Sequence, residues 1–177
     1  MAITELGFDP TRVYTALQTT AVMDVDMIPP ALGTIYEDSA GNAHRFVKNN
    51  HSAALTIGDV VFLDKTADYP NAVSELNTDS CGAVAAGVMA GVARGPIPAA
   101  GYGWIQYAGV GSANCEGTTD IVVGDSLKGV NSQLYAVKDA ALAAVASYTN
   151  HLRALKAYTT NSAAVTAGIV SINCRNY

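Results

Sequence analysis

Ser126 has the strongest claim to chemistry of any side chain in this sequence. It stands in Gly124-Asp125-Ser126-Leu127, the four-letter block around the nucleophile of the esterases named for it. A serine hydroxyl attacks an ester only when a histidine takes its proton and a carboxylate orients that histidine. Those esterases carry the block near the start of an α/β domain and supply the partners from a late Asp-x-x-His. Here the block begins at residue 124, the later histidine is His151, and Tyr148 stands three residues before it. The letters read better as a β-turn leading into a strand, and a Ser126-dependent esterase is the lesser alternative.

Other reactive residue types are too sparse to form a site. His44 and His51 straddle the end of one segment, and a shared metal would need a third and fourth ligand that the sequence does not offer; both read as structural histidines. Asp24 and Asp26 flank Val25 with no calcium-loop pattern around them, so they suit a solvated strand face. Cys81, Cys115 and Cys174 are odd in number, far apart and without a Cys-x-x-Cys pair, which points to reduced, partly buried thiols. Gly101, Gly103, Gly109 and Gly111 match neither the dinucleotide nor the P-loop pattern and suit turns and close backbone packing instead. We therefore assign no catalytic, cofactor-binding or metal-binding residue.

Composition narrows the remaining classes. A chain of 177 residues can bury a real core, as one domain or two small related ones. Half of the residues are hydrophobic and only 14% are charged, against roughly 25% in soluble domains, so part of the surface is expected to be covered by other protein. A net charge of −5 with ten scattered basic residues gives little attraction to nucleic acid. The segment Met1–Tyr14 lacks the basic region and apolar run of a signal peptide, and no stretch approaches the roughly 20 apolar residues that span a bilayer. The expectation is a soluble, unexported chain with no nucleic-acid or membrane partner.

The elements that must position any functional surface are mainly strands. Residues 1–32 read as an extended N-terminal arm: Gly7, Asp9 and Pro10 make a turn, no clean period follows, and Pro29-Pro30 stops regular structure. Such an arm packs on something else or serves as an edge strand of its own domain. Residues 33–177 read as a β-rich domain. TIYED and AHRFVKN, joined by SAGN, predict a hairpin. Gly58-Asp59 turns into the buried run Val60-Val61-Phe62-Leu63, and residues 64–82 make a polar excursion around one short strand. Ala86–Gly109 holds the single Trp: a small apolar strand, the breaker Gly95-Pro96-Ile97-Pro98, then Tyr102–Tyr107 alternating as a strand with bulk on both faces. Lys138–Tyr148 is Ala-rich with Leu142, Val145 and Tyr148 at helical spacing and predicts a short helix, with strand resuming near Leu152.

The halves echo each other. Gly58-Asp59 matches Gly124-Asp125, Ala93 matches Ala157, and Gly103-Trp104-Ile105 matches Gly168-Ile169-Val170 in the same order. Three similar offsets suggest an internal duplication, about 50–110 and 116–173. The expected fold is a small β-barrel or β-sandwich with two related halves.

The order IGDVVFLD, AGVMAGVARGPIPAAGYGWIQYAGV, VGDSL and AGIVSIN over residues 33–172 resembles the capsid decoration, or cement, proteins of tailed bacteriophages. The resemblance implies a structural virion protein made in the host cytoplasm, forming homotrimers or similar clusters on the outside of the head. Its partners would be itself and the major capsid protein, whose neighbouring subunits it would clamp. The candidate contact residues are Phe8, Arg12, Val13 and Tyr14 of the arm, followed by Tyr102 and Trp104, for which barrel core is the competing role. Length and low charge suit a tail or fibre component equally.

Overall fold

The computed structural model describes residues 9–12, 14, 29–66, 71–76, 87–117, 119–139, 152–157 and 166–174. Ten strands form the described fold: β1 (Ile35–Glu37), β2 (Ala43–Asn49), β3 (Val60–Leu63), β4 (Ala72–Ser74), β5 (Met89–Ala93), β6 (Tyr102–Cys115), β7 (Ser126–Gly129), β8 (Ala136–Lys138), β9 (Leu152–Ala154) and β10 (Thr166–Asn173). The fold is mainly β, as the alternation and turn residues predict, and the described residues contain no helix. Of the segment expected to be helical, Lys138 ends β8 and Asp139 follows it, while residues 140–148 lie outside the described part. Strand does resume at Leu152.

Local chemistry accounts for the strand starts. The hairpin of β1 and β2 turns on Asp38, whose carboxylate accepts the N–H groups of Ala40 and Asn42, both at 2.9 Å. Before β3, the Asp59 carboxylate accepts the Thr56 N–H at 2.7 Å, and Gly58 takes φ +90°. Before β7, the Asp125 carboxylate accepts the Val122 N–H at 2.8 Å, and Gly124 takes φ +92°. That backbone region is cheap only for glycine, which is why Gly-Asp recurs at both places.

Two closed rings of five strands share β6. Barrel 1 runs β2, β4, β3, β5, β6 and closes through the antiparallel β2–β6 pairing. Barrel 2 runs β6, β8, β7, β9, β10 and closes through β10 on β6. The 14 residues of β6 are long enough for the first half to wall barrel 1 and the second half to wall barrel 2. Pairing senses repeat: β2–β4 and β6–β8 are parallel, and the remaining neighbours in each ring are antiparallel.

The repeat extends to single hydrogen bonds. Gly58 donates to Ala93 O and Gly124 to Ala154 O, each at 2.9 Å; Ala93 donates to Asp59 O at 2.8 Å and Ala154 to Asp125 O at 2.9 Å. Ala154 thus takes in barrel 2 the hydrogen-bonding place that Ala93 takes in barrel 1. Val92 and Ala93 face Gln106 and Ile105, as Arg153 and Ala154 face Ser171 and Val170.

Burial divides along the same lines. Val47, Leu55, Val61, Val73, Ala93, Ile97 and Ile105 fill barrel 1. Ala113, Cys115, Leu127, Leu152, Ala154, Val170 and Ile172 fill barrel 2, and their cluster takes in Val60, Phe62, Met89 and Val92 from the outer side of barrel 1. The barrels therefore pack on each other as well as sharing a strand. Gly129 lies so close to the Phe62 ring that a Cβ there would overlap it.

Candidate interaction surface

Part of the arm docks on its own barrel. Asp9 caps a turn by accepting the Thr11 N–H at 2.8 Å and the Thr11 hydroxyl at 2.6 Å. The chain then passes Gly95, where an added Cβ would stand 2.7 Å from Thr11 O. Beyond Ala93 strand β5 breaks away from β6 at the Gly-Pro sequence, and Tyr14 occupies the vacated edge. It donates to Tyr102 O at 2.8 Å and accepts from the Tyr102 N–H at 2.7 Å, an antiparallel bridge.

The bridge assembles an aromatic cluster around the fully buried Phe46. The Phe46 ring meets Tyr14 edge-on at 5.5 Å between centroids, Trp104 at 5.2 Å and Tyr102 at 6.4 Å. The Arg12 guanidinium lies 5.4 Å from the Tyr14 ring centroid, within cation–π range. The structure thus gathers Arg12, Tyr14, Tyr102 and Trp104 at one end of barrel 1; Phe8 and Val13 lie outside the described residues. Trp104 is only 6% exposed and Tyr102 is half-buried, so both serve the packing of this chain.

The expected reactive groups are tied up elsewhere. Ser126 opens β7, and its neighbour Asp125 bonds Val122 N–H and the Lys138 ammonium at 2.8 Å. Burial works against the Asp125 charge, but the bonds from Lys138 and Val122 hold its carboxyl below the usual range. His151, Asp24 and Asp26 lie outside the described residues. His44 Nε2 is 3.5 Å from Asp38, and His51 Nε2 is 3.7 Å from Glu75. Burial, with a smaller push from the Arg94 charge, depresses the His44 pKa against the opposing pull of Asp38. Cys115 and Cys174 are buried free thiols, pushed up by desolvation to about 11 and about 12. An open pocket of about 420 Å³ is lined by His51, Asp59, Glu75, Asn114, Gln133 and Tyr135 among others. Asp59 is engaged there by Thr56 N–H and by Asn114 Nδ2 at 2.9 Å. Among the described residues no group of three or more His, Cys, Asp or Glu is placed to hold a metal ion, and no helix is long and apolar enough to cross a membrane.

What the sequence reading missed is the outer wall of barrel 2. Cross-strand register sets Ser126, Arg153, Ser171 and Val110 in one row, and the next row carries Ile169 opposite Ser112, with Leu155 bonded to Ile169 O. Ala167 and Asn114 follow. Ile169 is 45% exposed, Leu155 41% and Val110 56%, and the turn before β7 adds Val122 at 51% and Val123 at 64%. The equivalent rows of barrel 1 are Val60, Val92, Gln106 and His44, then Arg94, Trp104 and Phe46, then Tyr102 and Lys48. In that wall every member of the first row is at most 2% exposed, because barrel 2 packs against it and the arm covers the rest. The same wall is therefore covered in one barrel and open in the other. The signal was present in the echo of Gly103-Trp104-Ile105 by Gly168-Ile169-Val170, which puts Ile169 in the place of a shielded Trp.

No family model matches the chain, and no curated protein matches it. Among solved structures it is similar to the N base of the head fiber protein gp8.5 in bacteriophage phi29, at 12% identity and a TM-score of 0.43, over 73% of this chain and 94% of that one.

Proposed function

We propose that this chain is a structural protein of a tailed-phage virion, clustered as a homotrimer on the outer surface of the head, where it ties neighbouring major capsid subunits together. The observation that carries the reading is the open, nearly uncharged wall of barrel 2, whose counterpart in barrel 1 is buried by protein. Exposed aliphatic side chains gathered on one wall suit an interaction surface. The phrases behind the resemblance to decoration proteins support it. IGDVVFLD forms the turn and β3, GVARGPIPAAGYGWIQYAGV covers the end of β5, the breaker and most of β6, VGDSL the turn and start of β7, and AGIVSIN most of β10. They are the skeleton of both barrels rather than a reaction centre. Many modest contacts repeated over a symmetric shell give avidity without a deep pocket.

The test is a cryo-EM map of the virion, with the same particle assembled without this protein as the comparison. Difference density fitting two fused barrels on the outer head surface is the expected result. Such density only in the tail, or none on the particle, overturns the proposal.

A further inference from the structure

We infer that the open pocket lined by Asp59 and Glu75 binds a primary ammonium group carried on an aliphatic chain, a class that takes in free alkyl diamines and the lysine side chain. The inference stands apart from the capsid reading above.

The two barrels supply the argument. Asp59 and Asp125 hold equivalent places, each following the Gly of its turn and each accepting the N–H of the residue three before it. Beyond them the strands pair in the same register: Phe62 faces Ser74, and Lys128, likewise three residues past its Asp, faces Val137. Glu75 follows Ser74 and Lys138 follows Val137, so Glu75 stands in barrel 1 where Lys138 stands in barrel 2. In barrel 2 the Lys138 ammonium lies 2.8 Å from the Asp125 carboxylate, on the oxygen that also accepts the Val122 N–H. Barrel 1 has a second carboxylate in place of that cation.

The pocket lies at this exchange. Its volume of about 420 Å³ is within the roughly 300–1,000 Å³ of small-ligand sites. Lys and Arg are absent from its described lining, where the basic group is His51, with Nε2 3.7 Å from Glu75. With Nε2–H turned to Glu75, Nδ1 is left as an acceptor, and it is buried without a hydrogen-bond partner. Asp59 is 6% exposed, and its carboxylate is held by neutral donors, the Thr56 N–H at 2.7 Å and Asn114 Nδ2 at 2.9 Å. A charge this buried is stabilised by an opposite charge with donors of its own. Among the described residues no three His, Cys, Asp or Glu are placed to hold a metal ion, so the fitting cation is one that brings its own hydrogen-bond donors. An ammonium brings three, as Lys138 does at Asp125, and Leu134 and Tyr135 of the lining give apolar wall to the methylenes behind it.

The experiment is isothermal titration calorimetry of the full-length protein at constant ionic strength, with cadaverine, Nα-acetyl-lysine amide and uncharged pentanol as probes. The variants are Glu75→Gln, Glu75→Lys and the control Glu37→Gln, which removes one charge from the exposed strand β1. Thermal melts confirm that each is folded; Glu75→Gln carries the test should Glu75→Lys fail to fold. Saturable binding of an amine and none of pentanol is the expected result. Glu75→Gln should weaken it at least about threefold, the scale of a partly exposed ion pair. Glu75→Lys, which sets a like charge in the site, should weaken it at least about tenfold, with Glu37→Gln within about twofold of wild type. Tighter binding of cadaverine assigns the pocket to a free diamine and tighter binding of the lysine amide assigns it to a lysine of another protein; both uphold the inference. Wild-type protein that binds neither amine, pentanol that binds as tightly as the amines, or Glu75 variants that bind as wild type each overturn it.

Discussion

Gly95→Ala is the sharpest probe of how the arm is held. Gly95 does not adopt a positive φ, so alanine fits the backbone, but its methyl group would stand 2.7 Å from Thr11 O and 3.1 Å from Thr11 Cα. Both are main-chain atoms, and the arm must move away. Moving it weakens the two hydrogen bonds between Tyr14 and Tyr102, each contributing about 0.5–1.5 kcal/mol net. It also weakens the edge-on pair of Tyr14 with Phe46, a geometry that adds about 0.5–1.5 kcal/mol. Against this, removing a glycine from the unfolded chain stabilises by about 0.4–1 kcal/mol. The net expectation is a loss of about 1–3 kcal/mol, or a melting temperature lower by roughly 3–10 °C for a chain of this size. Trp104, the single tryptophan, reports locally: it packs on Phe46 beside the arm, and its emission should shift to the red as the arm lifts. The control is a double-mutant cycle with Tyr14→Ala. Tyr14→Ala removes the ring but keeps the main-chain bonds to Tyr102, so in that background Gly95→Ala should cost less by about 0.5–1.5 kcal/mol, the share carried by the ring pair with Phe46. An equal cost in both backgrounds, with no change in Trp emission, would refute the docking argument.

Three other outcomes follow from the same structure. His44 has a folded-state pKa below its ordinary 6.5, so the unfolded chain takes the proton first and stability falls as pH drops below about 6.5; melts from pH 8 to 5 should show this decline, and His44→Gln should flatten it. Cys115 and Cys174, with thiols pushed to about 11 and about 12, should stay unlabelled by iodoacetamide in native protein at pH 8 and react fully in urea, as read by peptide mapping; rapid native labelling of either would contradict their burial. Gly124→Ala meets no atom within 4 Å but must hold φ +92°, which costs about 1–2 kcal/mol; Gly58→Ala adds a clash with Asn114 Oδ1 at 2.7 Å and should melt lower, and the reverse order would be inconsistent with the packing described.

The elements legible in the sequence were those announced by residues with one strong local preference. The hairpin turned on Asp38 and Asn42, the strand starts on Gly-Asp, and the end of β5 on Gly95-Pro96. The fusion of two barrels was not legible because β6 changes character halfway. Tyr102–Tyr107 alternates bulky side chains, whereas Gly109–Cys115 is small and reads as loop. The small residues answer to packing that sequence does not display: a Cβ at Gly111 would overlap Gln106 Oε1 and stand 3.1 Å from Ile172. Strands β4, β8 and β9 have three residues each, too short to carry a period. Arg12, Tyr14, Tyr102 and Trp104 gather around Phe46, a juxtaposition of residues far apart in the chain that local preference does not display.

The wall of barrel 2 is the better candidate for the proposed contact. At the aromatic end of barrel 1 Phe46 is fully buried and Trp104 nearly so, while Arg12, Tyr14 and Tyr102 are half-buried. The repeat provides an internal comparison that a single barrel could not. The two walls share strand order and pairing senses, with register shifts at Ala43/His44 and Val61/Phe62 in barrel 1, and they differ most in what lies on top. A wall that remains in water is normally studded with charges of both signs; these rows have Arg153 among Ser, Asn, Val, Ala, Ile and Leu. The low charge of the whole chain and the exposed aliphatic residues on the wall of barrel 2 point the same way, and both fit the proposal that a neighbouring protein covers this wall.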